Sequence, residues 1–142
     1  MNVIPAHLRR LVITRAANGC EYCGLAQEGQ EATFHIDHIL PVAAQGPTTA
    51  ANLALACVSC SLRKGARQTA LDPLIGEEVA LFHPRRDRWT DHFLWKGEVL
   101  FGLTSIGRAT IVALEMNRPL ILSIRREQAL LGRHPQPLPP DN

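Results

Sequence analysis

Apolar and polar positions alternate along Phe34-His35-Ile36-Asp37-His38-Ile39-Leu40: Phe34, Ile36, His38 and Leu40 share one side, and His35, Asp37 and Ile39 the other. A period of two belongs to a short strand, and Pro41, with no N–H to give a ladder, ends it. Gln45-Gly46-Pro47-Thr48 then reads as a loop, and Asn52-Leu53-Ala54-Leu55-Ala56-Cys57 as a second extended run. After Cys60, the run Ser61-Leu62-Arg63-Lys64-Gly65 opens a helix, with Ser59 or Ser61 as its cap. The predicted order is strand, loop, strand, helix. Adjacent residues of a strand point to opposite faces, so Asp37 and His38 can serve one site only if the strand end is twisted or bulged.

Residues 71–100 read as β-rich and turn-rich. Asp72-Pro73 and Gly76 punctuate a turn, Val79 to Phe82 form a short apolar run, and Trp89, Phe93 and Trp95 fall on one face of a strand pattern. Thr104 is placed to cap a helix through about residue 117 with Ile106, Ala109, Ala113 and Met116 on one side. Asn117 and Pro119 restart a second helix, which packs Leu120, Ile124 and Leu131 and stops at Gly132. A connection this short predicts an antiparallel helical hairpin laid on the core. The tail after Gly132, with Pro135, Pro137, Pro139 and Pro140, can hold neither a helix nor a central strand.

The chain has 142 residues, 46% of them hydrophobic, enough for an ordinary globular interior. Its net charge of +2 neither demands nor excludes a polyanionic partner, so the distribution matters more. Residues 1–62 carry three Arg against four acidic side chains, and residues 63–142 carry twelve Lys or Arg against nine. The basic residues cluster as Arg63-Lys64-Arg67, Arg85-Arg86-Arg88 and Arg125-Arg126, a pattern that suits phosphates and equally a solvated helix face. Beside the second cluster, the two tryptophans fit either burial against the core or a base-stacking platform. No stretch has the length of a membrane span and no secretory leader is visible, so the expectation is a soluble, cytoplasmic protein without a membrane partner.

All four cysteines fall in Cys20-x-x-Cys23 and Cys57-x-x-Cys60. Each pair can present two thiolates from a tight knuckle, and two knuckles complete the tetrahedron that Zn²⁺ accepts. Two disulfides or a redox pair are the alternatives, and nothing signals the oxidising compartment that disulfides need. Four sulfur ligands leave no open position, so such a metal is structural and any chemistry lies elsewhere. The zinc would close over residues 24–56 and fix what they display.

Taken together, Cys20-Glu21-Tyr22-Cys23, His35-Ile36-Asp37-His38-Ile39-Leu40-Pro41, Asn52-Leu53-Ala54-Leu55-Ala56-Cys57 and Cys60-x-x-Arg63-Lys64-Gly65 resemble the signature of HNH endonucleases with a four-cysteine zinc site. The resemblance covers about residues 5–70, including a leading helix at Ile4-Pro5-Ala6-His7-Leu8-Arg9-Arg10. It implies a ββα-metal (His-Me finger) core with zinc knuckles over residues 1–70; with the β-rich and helical-hairpin extension read above over 71–134 and the Pro-rich tail over 135–142, the expected fold class is α+β. Trp89-x-Asp91-His92-Phe93 is similar to an extension found in one branch of that family.

The implied activity is hydrolysis of phosphodiester bonds in nucleic acid, most simply DNA. His38 would be the general base, Asp37 the ligand of a catalytic Mg²⁺ or Mn²⁺, and Asn52 the brace of the loop between the strands. Those roles suit the chemistry, which needs an activated water and positive charge beside the oxygens that gain negative charge. Arg63, Lys64 and Arg67 at the helix are the expected nucleic-acid contacts. His35, two residues from Asp37, is a candidate auxiliary ligand or a packed side chain. One position departs from the family: Ser61 stands where Asn or His usually provides a second ligand, and a serine hydroxyl is a poor neutral one. His83 or His92 are alternative sources of that ligand. Ser61 also motivates the rival expectation of a zinc-stapled nucleic-acid-binding module with weakened catalysis. A homodimer or a larger nuclease assembly is compatible with either.

Overall fold

The computed structural model describes residues 3–137, so the last five residues of the proline-rich tail lie outside the described residues. Helix α1 (Ala6–Arg15) starts behind Pro5 and ends where Ala17 and Asn18 turn into positive φ. It buries Val12, and Arg15 reaches back to donate to the carbonyls of Ala50 and Leu53. The first cysteine pair follows directly, and β1 (His35–His38) and β2 (Leu53–Ala56) then pair antiparallel, with Asp37 opposite Ala54 and His38 opposite Leu53. Every residue of β2 is buried, as expected for a strand covered on both faces.

Helix α2 (Val58–Lys64) begins before the expected start. Its cap is neither Ser59 nor Ser61 but Cys57, whose sulfur accepts from the Cys60 N–H. A Cys-x-x-Cys knuckle supplies the acceptor that a Ser cap would otherwise provide, so the metal-site geometry and the helix start are one structure. The strand, loop, strand, helix order holds.

The second half contains two hairpins, β3 (Thr69–Leu71) with β4 (Glu78–Ala80) and β5 (Phe93–Lys96) with β6 (Val99–Gly102). Between them Trp89 lies on the one-turn helix α3 (Trp89–His92) rather than on a strand. Its ring packs 5.1 Å from Phe93 and 5.7 Å from Trp95, and its indole N–H donates to the Tyr22 carbonyl at 2.9 Å. The aromatic group is therefore core that ties the extension to the first knuckle, not a platform for bases.

Helix α4 (Ser105–Ala113) is capped by Thr104, whose hydroxyl accepts from the Gly107 N–H, and it stops before residue 117. Pro119 opens α5 (Pro119–Leu130), and Gly132 follows its end at positive φ. The two helices do not form a hairpin packed on itself. α4 lies against β3, β4 and β6, whereas α5 buries Ile121, Arg125 and Gln128, the last reaching the Ala26 carbonyl. Leu120 and Leu131 face outward instead of packing. One hydrophobic core runs from Val12 through Leu53, Leu55 and Phe82 to Ile121, each such side chain contributing roughly 1.5–3 kcal/mol.

Arg125 corrects a reading from charge alone. It is fully buried and donates to the carbonyls of Glu98 and Met116 and to Asn117 Oδ1, with its guanidinium 4.8 Å from the Trp95 ring. Burial pulls its pKa below the usual arginine value. Arg125→Ala strands these acceptors, and we expect a loss of about 3 kcal/mol, checked by urea denaturation.

Candidate active site

Two centres are built around residues 20–64. In the first, the four cysteine sulfurs are buried, unpaired and all within 4.8 Å of one another. Cys23 and Cys57 Sγ are 3.7 Å apart, too long for a disulfide bond and close to the roughly 3.8 Å edge of a tetrahedron with Zn–S bonds of about 2.3 Å. The N–H groups of Cys23 and Cys60 each point at the sulfur three residues back, at 3.4 Å. Burial, together with the neighbouring thiols, pushes the Cys20 thiol well above its ordinary range, while hydrogen bonds from Cys20, Cys57 and Cys60 hold Cys23 well below it. A dication would deprotonate the whole cluster and remove that conflict. The cluster fits structural zinc.

The knuckles are tied to the strands. Glu21, between Cys20 and Tyr22, is buried; it accepts from the Leu55 N–H at 2.8 Å and forms an ion pair with Arg85. Burial, above all, lowers the Arg85 pKa to about 10. Arg85 is thus committed to the fold.

The second centre is a cavity of about 620 Å³ bordered by His35, Asp37, His38, Ser61, Arg9 and Pro41. Asp37 and His38 reach it without a bulge, because the β1–β2 register is continuous through His38. Asp37 faces α2 and His38 faces the loop after Pro41, and since β1 ends at His38 the cavity opens around the strand end to both.

Asp37 is 9% exposed and strongly held. Its Oδ2 accepts from the Tyr22 hydroxyl at 2.9 Å and sits 3.2 Å from the Lys64 ammonium, which also donates to the His38 carbonyl at 3.1 Å. Among the described residues no donor falls to Oδ1. Burial pushes the carboxyl above its ordinary range, and the Lys64 charge and the Tyr22 hydroxyl pull it back. Tyr22 itself is raised well above the usual phenol range, chiefly by burial and then by Asp37, so it stays a donor. Two donors on one oxygen fix the carboxylate and leave the other oxygen free, which suits an oxygen ligand for a hard divalent cation.

His38 Nε2 lies 2.9 Å from Thr48 Oγ1. Thr48 is held there by Asn52, which is buried and accepts from the Leu40 N–H at 2.8 Å while donating to the carbonyls of Leu40 at 3.1 Å and Pro47 at 2.9 Å. Gly46 allows that closure: a Cβ there would lie 1.7 Å from the Leu40 oxygen and 2.9 Å from Asn52 Nδ2. Asn52→Asp removes both donated bonds and sets a charge against two carbonyls, so we expect about 2–3 kcal/mol of lost stability, read by thermal melting.

The three expected nucleic-acid contacts separate. Lys64 is 2% exposed and turned onto Asp37, and Arg63 is held by Glu115 at 2.8 Å and Ser59 at 3.1 Å. Only Arg67 of the three is exposed with no side-chain partner among the described residues. Charge counting could not distinguish a cation bracing the site from one facing solvent. His83 and His92 do not border the Asp37 cavity; His83 Nδ1 accepts from the Arg85 and Arg86 N–H groups, and His92 meets Thr104 at 2.6 Å. Sequence reasoning also missed Tyr22 and Thr48, since nothing in a knuckle or a loop announces which side chain turns inward.

A ββα unit pinned by a four-cysteine centre defines the class. Residues 20–67 match the family model described as HNH endonuclease, so that segment is similar to an HNH domain, and the family points to a nuclease-type function. No curated protein and no solved structure matches the chain. No helix among the described residues is long and apolar enough to cross a membrane.

Proposed function

We propose that the protein is a metal-dependent endonuclease that hydrolyses phosphodiester bonds of DNA, with His38 as general base and Asp37 as ligand of the catalytic ion. The observation that carries this reading is the opening of Asp37 and His38 onto one cavity inside the HNH segment, each held by its own supports.

If His38 Nε2–H donates to Thr48 Oγ1, the lone pair is on Nδ1, which can accept a proton from water. Asn52 acts as a positioning residue by holding the Thr48 loop. Asp37 offers Oδ1 to a cation, with Oδ2 secured by Tyr22 and Lys64. A bound Mg²⁺ or Mn²⁺ supplies Lewis-acid stabilisation of the charge that develops on phosphate and leaving group. Arg9, exposed on the cavity rim, and Arg67 supply phosphate contacts to the flanking backbone. In this reading residues 71–134 serve as a buttress for the nuclease core through Trp89 and Arg85.

Ser61 favours a second reading, a nucleic-acid-binding module with weakened catalysis. Nicking of supercoiled plasmid by the zinc-loaded protein, in Mg²⁺, Mn²⁺ or EDTA, separates the two. Metal-dependent nicking is the expected result, and DNA binding without nicking in either metal would overturn it.

A further inference from the structure

We propose that His35, through Nε2, is the second protein ligand of the catalytic ion, with Ser61 as the positioning residue that orients its ring; this rests on the nuclease reading above. The serine hydroxyl is a weak neutral donor, and it is already engaged: Ser61 Oγ lies 2.9 Å from His35 Nδ1. Helix α2 crosses the face of β1 that carries His35 and Asp37. Ser61 stands over His35, and one turn later Lys64 stands over Asp37 at 3.2 Å. His35 and Asp37, two residues apart on an unbulged strand, share that face and border the same cavity as Ser61.

The ligand role takes the tautomer in which Ser61 is the acceptor. With Nδ1–H donating to Ser61 Oγ, Nε2 carries the lone pair, and among the described residues nothing bonds to it. A metal-binding histidine is normally fixed in this way, its second nitrogen spent on an outer partner. His35 is exposed on the cavity, as a ligand that must meet an incoming ion has to be. His38 is not an equivalent choice, because it faces the Thr48 loop on the opposite side of the strand end and its remaining nitrogen, Nδ1, is the one assigned to proton transfer. Exchanging an oxygen ligand for an imidazole shifts preference away from Mg²⁺ toward Mn²⁺ and later divalent ions.

The test is Mn²⁺ binding to the zinc-loaded full chain, followed by electron paramagnetic resonance, with nicking assayed on the same samples. Wild type should bind Mn²⁺ with a ¹⁴N coupling from a ligated imidazole. His35→Ala should lose that coupling and bind Mn²⁺ at least about tenfold more weakly, with zinc content unchanged. His38→Ala should keep both. Ser61→Ala should keep the coupling and weaken binding, since only the orientation of the ring is lost. If His35→Ala keeps both coupling and affinity while wild type still nicks DNA, the ligand assignment is wrong and the nuclease reading stands. If wild type neither binds Mn²⁺ nor nicks in any metal, both fall together.

Discussion

Cys57→Ser should leave a chain that neither retains stoichiometric zinc nor melts cooperatively. Cys57 is one of four buried sulfurs within 4.8 Å, and it is also the residue whose side chain caps α2. Serine can take over the cap, so the substitution acts through the metal: it opens the tetrahedron and unties from it the helix that carries Ser61 and Lys64 beside the site. Binding of a structural zinc is worth on the order of 10 kcal/mol, comparable with the whole stability of a small domain, about 5–15 kcal/mol. The strands it secures are short, four residues each, and could not form a stable pair by themselves. Metal analysis and a circular-dichroism melt check this, and a chelator should reproduce the effect on wild type. A Cys57→Ser protein with an unchanged melt would mean that the extension alone holds the core together.

The second large effect is on catalysis. His38→Ala should lower metal-dependent DNA nicking by roughly 10²–10⁴-fold, the usual contribution of a positioned general base. Zinc content and melting temperature should barely change, because His38 is only half-buried and its side chain makes one hydrogen bond among the described residues, to Thr48. This pairing of results is informative: loss of nicking with an intact fold supports proton transfer by His38, whereas loss of both would make it a structural residue. Thr48→Val complements it, since removing the hydroxyl should impair nicking while leaving the imidazole present.

The knuckles, the short strands and the order of the core were legible in the sequence because each rests on local chemistry. A Cys-x-x-Cys pair closes on itself, strict alternation belongs to a strand, Pro41 restricts the backbone, and Gly46 permits the close approach that a Cβ would block. The family match covers the segment that carries these features, residues 20–67. Partners chosen across the fold were not legible. Lys64 looked like a phosphate contact, yet the 27-residue separation from Asp37 closes into an ion pair because α2 lies across β1. Arg63, Arg85 and Arg125 are likewise spent on Glu115, Glu21 and backbone carbonyls, and the tryptophans are stacked in the core.

What the sequence determined by itself is the pair of metal-binding knuckles and the strand that bears Asp37 and His38, because residue type and spacing alone set that geometry. Which cations face solvent, which oxygen of Asp37 is left free and which nitrogen of His35 is turned outward were decided only by the tertiary structure. The physical reason is that a charged or polar side chain takes its role from whatever desolvates or bonds it, and those neighbours are brought together by packing over tens of residues.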